Sequence, residues 1–280
     1  MSVRLHPIKS GEIQLRVMSP RPPRRGPAKL PRTLLRSFFR AARWHPVLVF
    51  LVEHPREGPF LIDVGYDPSI ESDPSRTLGF IFGKVVMKHR LAQRSVPDEV
   101  RARGVEPTVV SRVLVTHLHL DHVSASRQWP QATFVVDRVE RAAANRQLGP
   151  GPYVKPHLAT IENLREVDFA APEAEPFESF GRTVDLFGDG LVRLISTPGH
   201  SPGHMSVLLR LRDRYALILG DAMMSTLELR EPVIDGIVVD QDSYVRSGAE
   251  TREFMRARPE TLAIPSHDGK LWSRLEPTYD

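Results

Sequence analysis

The stretch Thr116-His117-Leu118-His119-Leu120-Asp121-His122 constrains this chain more than any other part of its 280 residues. It follows the apolar run 113–115, which reads as a strand. His117 and His119 are two apart, so extended backbone puts both on one face. The chain must then turn, which brings Asp121 and His122 in from another direction. Four ligand-capable side chains in six residues are enough to begin two adjacent metal sites. Imidazole and carboxylate suit zinc, manganese, iron or cobalt.

Such a motif needs partners from elsewhere. Thr197-Pro198-Gly199-His200 closes an apolar run at 191–196, Gly220-Asp221 closes one at 214–219, and Ser266-His267-Asp268 closes one at 261–264. Each is a polar ligand type directly after a strand, and strand ends can converge on one rim. The chain has no cysteine, which excludes disulfides, thiolate metal sites and a thiol nucleophile. Metal chemistry must therefore rest on His and carboxylate ligands. There is also no G-x-S-x-G elbow to offer a serine nucleophile.

The net charge of +4 conceals an asymmetry. Residues 1–44 carry eleven Lys or Arg against the single acid Glu12, a charge of +10, and the remainder has 27 basic and 33 acidic residues, a charge of −6. A basic arm raises the question of nucleic acid or membrane contact. The arm lacks interleaved aromatics and no nucleic-acid motif is present, so neither a nucleic-acid partner nor membrane contact by this segment is expected. The start has no apolar core of signal-peptide length, and no run approaches a membrane span. The expected location is the cytoplasm.

The pattern predicts an α+β chain. A strand is expected at 13–18, an irregular Pro/Arg stretch at 21–32, an amphipathic helix at 30–43, and a hairpin from 47–52 and 60–64. Residues 66–90 read as an insertion with its own apolar part, 78–87. A short helix is expected over 97–103 and strands at 113–116 and 133–136. The next helix begins at Arg138, with Asp137 as N-cap and Glu140 at the third helical position, like a capping box. Strands are expected at 183–187, 191–196, 204–210, 214–219 and 261–264, with a helix at 252–258. Two sheets packed together with helices outside accommodate this order. One domain over 1–280 is expected, with a basic segment at 20–44.

Taken together, these residues resemble the metallo-β-lactamase superfamily, and within it the N-acyl-homoserine lactone lactonases. The likeness rests on the His117–His122 motif, the string Thr197-Pro-Gly-His-Ser-Pro-Gly-His204, the spacing of His200, Asp221 and His267, and the hairpin ending Leu61-Ile62-Asp63-Val64-Gly65. It implies a four-layer αββα sandwich and two divalent metal ions, zinc first, with iron, manganese or cobalt as alternatives. His117, His119 and His200 would hold the first metal. Asp121, His122 and His267 would hold the second, and Asp221 would bridge them. Asp63 would orient a ligating His, and His204 would be structural.

The implied activity is opening of a lactone or cleavage of a carboxylic ester by a hydroxide held between the metals, with Asp121 returning a proton to the leaving alkoxide. A small-molecule lactone or ester is the expected substrate, and a homodimer is the assembly the resemblance suggests. One position departs from the lactonases. They place a Tyr three residues after the bridging Asp, where this chain has Met224, which cannot donate a hydrogen bond. Tyr244 is the candidate to take over. Phosphodiesterase, phosphotriesterase or arylesterase activity on the same scaffold is the alternative. A redox diiron role would usually need Glu at the position of His119.

Overall fold

The fold is described from a computed structural model over residues 1–15, 43–72, 87–149, 151–234 and 236–280. The expected Pro/Arg stretch 21–32 lies outside these residues, as do the helix expected at 30–43 except for Arg43 and the apolar part 78–87 except for Met87.

Two mixed sheets form the centre. The first contains β1 (Arg4–Leu15), β2 (Trp44–His54), β3 (Gly58–Ile62), β4 (Met87–Leu91), β5 (Arg112–Leu114), β6 (Thr133–Asp137) and β7 (Asn163–Val167), in the order β4-β1-β2-β3-β5-β6-β7. The second contains β8 (Glu175–Phe177), β9 (Phe180–Asp185), β10 (Val192–Ser196), β11 (Met205–Arg210), β12 (Tyr215–Gly220) and β13 (Leu262–Pro265), in the order β13-β12-β11-β10-β9-β8. β3, β5, β6 and β7 pair in parallel, as do β12 and β13, and the other pairs are antiparallel.

The layering follows from alternation along each strand, because successive side chains leave a sheet on opposite faces. Leu48, Phe50 and Val52 of β2 face Val207 and Leu209 of β11 and Ala216 and Ile218 of β12 across the sandwich interior. Val49 and Leu51 point the other way, onto Val96 and Val100 of α1 (Val96–Ala102) and onto Trp129. On the far side, Leu208, Leu217 and Leu219 pack with Phe254. The expected αββα architecture is the observed one. Among the described residues no helix is long and apolar enough to cross a membrane.

The helices that matter for the site are α2 (Leu120–Val123), which carries Asp121 and His122, α3 (Arg138–Arg146) and α4 (Gln241–Ala257). Asp137 caps α3 as expected, accepting from the N–H groups of Val139 and Glu140. Glu140 does not complete a capping box. Its carboxylate accepts instead from two distant loops, at Leu118 and Gly203. Several bounds also differ from expectation. β1 begins at Arg4, and the helix expected at 252–258 is the C-terminal part of the 17-residue α4. The edge strands β4, β7 and β8 were not expected.

Candidate metal centre

The ends of both sheets meet at one rim. His117 lies three residues past β5, His200 follows β10, Asp221 follows β12, and His267 follows β13. α2 turns Asp121 and His122 back toward them. The expected convergence is observed: His117, His119 and His200 form one group, and Asp121, His122 and His267 another. His117, His122 and Asp221 form a group between, with the ligand-capable atoms of each group within 4.8 Å of one another.

Asp221 sits between the two outer groups. Its Oδ1 is 3.2 Å from Nε2 of His267 and 3.4 Å from Nε2 of His122. Its Oδ2 is 3.3 Å from Nε2 of His200 and 3.9 Å from Nε2 of His117. The Nδ1 of His119 lies 3.0 Å from Nε2 of His200, and Asp121 Oδ2 lies 3.3 Å from Nε2 of His267. All of these side chains are buried except that of His119, which is partly exposed.

The second nitrogen of the rings explains their orientation. Nδ1 of His122 donates to Asp63 Oδ2 at 2.7 Å, Nδ1 of His267 to the Pro46 carbonyl at 2.7 Å, and Nδ1 of His200 to the Ile237 carbonyl at 2.8 Å. A carbonyl or carboxylate can only accept, so Nδ1 keeps its proton and Nε2 presents a lone pair in the neutral ring. The buried Nε2 atoms of His117, His122 and His267, and Oδ1 of Asp221, have no hydrogen-bond partner among the described residues. Buried polar atoms are rarely left so. Converging lone pairs of nitrogen and carboxylate oxygen, unpaired and out of water, are the donor set of a borderline divalent cation, and these residues fit one.

The charges of the metal-free cluster are interlocked. Burial, reinforced by the neighbouring imidazoles of His122 and His119, holds His117 well below its ordinary value. Burial and then His200 push His119 down to about 3. For His267 burial opposes protonation, but Asp221 and Asp121 outweigh it and raise the ring to about 10. His122 is raised in the same way, against burial, by Asp121, Asp63 and Asp221. Burial would raise Asp221, yet His267, His122 and His200 hold it well below the carboxylate range. Positive charge is thus favoured at the position where the carboxylates converge.

Other residues singled out in the sequence are placed as follows. Asp63, at φ +57° and fully buried, accepts from Thr116 N–H (2.8 Å), Thr116 Oγ1 (2.9 Å) and His122. His204 accepts the Asp221 N–H at Nε2 and donates from Nδ1 to Thr197 Oγ1, both at 2.9 Å. Both ring nitrogens are used in packing the loops, which is the structural role expected. Asp268 caps the helix Gly269–Trp272. Met224 is buried, with its N–H on Glu228 Oε1 and its side chain against Gly236. The Tyr244 hydroxyl donates to Glu228 Oε2 at 2.7 Å, so the donor expected to replace a Tyr at 224 is already engaged. Sequence reasoning missed Glu140 as a site residue. It also missed the Pro46 and Ile237 carbonyls, which no side-chain pattern could reveal.

The metallo-beta-lactamase superfamily pattern matches residues 42–267. Among characterised relatives, the N-acyl homoserine lactonase AttM of Rhizobium radiobacter is 30% identical over 241 residues, covering 82% of this chain and 85% of that protein. The N-acyl homoserine lactonase AiiA of Bacillus thuringiensis subsp. kurstaki is 28% identical over 176 residues, 62% of each chain. Among solved structures, an N-acyl homoserine lactone hydrolase with the product N-hexanoyl-L-homoserine at its catalytic metal centre superposes over 100% of both chains with a TM-score of 0.72 at 21% identity. A B. thuringiensis AiiA variant with N-decanoyl-L-homoserine bound gives 0.73 at 21% identity, again over 100% of both chains. These two show the shared fold.

Proposed function

The chain belongs to the metallo-beta-lactamase superfamily, and on that premise we propose that it is a hydrolase with two divalent cations, zinc first among them, that opens lactones, N-acyl-homoserine lactones above all. The observation that carries this reading is the Asp221 carboxylate, which turns Oδ1 to His122 and His267 and Oδ2 to His200 and His117. In this reading His117, His119 and His200 hold one cation, Asp121, His122 and His267 hold the other, and Asp221 reaches both. The similarity to the AttM and AiiA lactonases supports the substrate class.

Divalent cations so held supply Lewis acidity, lowering the pKa of water from roughly 15.7 toward about 7 and polarising a carbonyl oxygen. The protein's own groups do the rest. Asp63 keeps the His122 Nδ1 proton in place, so that Nε2 stays a donor of its lone pair. Asp121 takes the proton lost by the attacking water and returns it to the alkoxide oxygen as the ring C–O bond breaks. The hydroxyl ends on the acyl carbon and the proton on the alcohol, with the carboxylate regenerated. No side-chain nucleophile is needed.

The test is a purified-protein screen with metal analysis. Hydrolysis is followed by pH indicator on N-acyl-homoserine lactones of increasing chain length and on γ-lactones, then on an aryl ester, a phosphotriester and bis-p-nitrophenyl phosphate. Lactone opening with about two metal equivalents is expected. Diester cleavage without lactone opening would overturn the substrate class, and full lactonase activity in Asp221→Asn would overturn the shared-carboxylate assignment.

A further inference from the structure

Glu140 is the third residue of α3, and the cap of that helix is already supplied by Asp137. Its side chain is nevertheless wholly buried and makes no ion pair among the described residues. Such a carboxylate is expensive to bury unless its oxygens are filled. Oε1 accepts the Leu118 N–H at 3.0 Å and Oε2 accepts the Gly203 N–H at 3.0 Å. Leu118 stands between His117 and His119, and Gly203 is three residues past His200 in the loop between β10 and β11. One carboxylate therefore ties together the two loops that carry the His117, His119 and His200 rings.

Two neighbours sharpen the arrangement. The Tyr153 ring lies against the His119 ring with centroids 5.3 Å apart, and the Tyr153 hydroxyl, raised first by burial, is near enough to the Glu140 carboxylate for that charge to raise it further. At Gly203 a Cβ would come 2.2 Å from the Glu140 nitrogen, so the loop approaches α3 as closely as only glycine allows. The other group is held differently. His122 is oriented by Asp63 and His267 by the Pro46 carbonyl, and Glu140 has no hydrogen bond to either.

We propose that Glu140 is a positioning residue for the His117–His119–His200 set alone, fixing the separation of its two loops, with Tyr153 beside it over His119. This rests on the ligand reading given above. Gln at 140 keeps the size but turns an NH₂ toward a backbone N–H, so one of the two loops loses its acceptor. Outer partners of ligating groups are worth about 10- to 100-fold in metal affinity.

Metal-loaded wild type, Glu140→Gln, Tyr153→Phe and His119→Ala are titrated with a competing chelator, and release of each equivalent is followed, with urea unfolding in parallel. Wild type should hold two equivalents. Glu140→Gln should weaken one by about 10- to 100-fold and leave the other at wild-type affinity. His119→Ala marks which step that is, and Tyr153→Phe should shift the same step by a smaller factor. Equal weakening of both steps, or of neither, overturns the proposal, because a merely structural carboxylate has no reason to choose one set. If Glu140→Gln fails to fold, Glu140→Asp, whose shorter side chain cannot span both N–H groups, takes its place in the same titration, and unchanged affinity at both steps overturns the proposal. A wild type that holds fewer than two equivalents refutes the ligand reading instead.

Discussion

Replacing Asp63 by Asn exchanges one oxygen for NH₂ at a point where three donors converge. Oδ1 accepts the Thr116 N–H, while Oδ2 accepts both Thr116 Oγ1 and His122 Nδ1. Asparagine has one acceptor oxygen and one NH₂. If its oxygen takes the Thr116 N–H, the NH₂ faces His122 Nδ1, and the ring must move its proton to Nε2, which removes the lone pair aimed into the cluster. If the oxygen takes His122 instead, the NH₂ meets the Thr116 N–H and leaves a buried donor unpaired. The backbone itself is not disturbed, because asparagine tolerates the φ of +57° that residue 63 adopts.

Each branch has a magnitude. An unpaired buried N–H costs about 1–3 kcal/mol of stability. A wrong tautomer or a loosened ring costs about 10- to 100-fold in metal affinity, or about 1.4–2.7 kcal/mol. Chelator competition reads the second and urea unfolding of the metal-free protein reads the first. The expected result is a loss in at least one readout, with any affinity loss confined to the equivalent that the proposed ligand set assigns to Asp121, His122 and His267. Metal affinity within twofold of wild type together with metal-free stability within about 0.5 kcal/mol would refute the reasoning, since both orientations of the asparagine amide would then be free of penalty.

Three further outcomes are expected. Burial pushes His89 down to about 4, so between pH 6.5 and 4 the unfolded chain binds a proton that the folded chain refuses. Stability is complete above the unfolded value and falls as pH drops through that window, with His89 adding up to ~1.4 kcal/mol per pH unit. His89→Gln should flatten the slope measured by urea unfolding, and an unchanged slope would contradict this. Tyr244→Phe removes the hydroxyl bound to Glu228 and should cost about 1.5–3 kcal/mol of stability while leaving kcat/KM within a few-fold. A large fall in kcat at intact stability would instead make that hydroxyl a substrate contact. Dialysis against a chelator should abolish lactone opening, and zinc, cobalt or manganese should restore it. Full activity in the metal-free protein would remove the basis for the proposed mechanism.

The strands that carry the site were legible because they are buried on both faces and end in a ligand type. β5, β10, β12 and β13 are short apolar runs closed by His or Asp. The strands that escaped are edges. β7 and β8 are mostly exposed or half-buried, so they lack an apolar alternation. In β1 the pattern is broken by Pro7 and by the register shift between Lys9 and Gly11. Most of α4 was missed because the buried face before Phe254 is built from Ser243, Ser247, Gly248 and Thr251 around the single aromatic Tyr244, too little for a hydrophobic period. At Gly248 a Cβ would meet the Arg252 guanidinium at 3.2 Å and Met223 Cε at 3.6 Å, so a small residue suits the place better than an apolar one.

At the site, ligand types at strand ends and the family resemblance pointed to the residues that meet and to Asp63 as an aiming group, but the carbonyls that aim the other rings left no trace in the sequence. His122 is aimed by Asp63, 59 residues away, His267 by Pro46, 221 away, and His200 by Ile237, 37 away. Asp63 follows β3, Pro46 belongs to β2 of the first sheet, and His267 follows β13 of the second. The donor set is therefore complete only when the two sheets are packed, and no local segment of the unfolded chain can reproduce it. A cation that binds the folded state alone stabilises it by RT ln(1 + [L]/Kd), which is about 2.7 kcal/mol per site at a hundredfold excess over Kd. Metal loading and sheet packing are thus one equilibrium. Protection by added metal against urea unfolding should accordingly extend to the amides of β2 and β13, far apart in sequence, rather than stay within the loop 117–122.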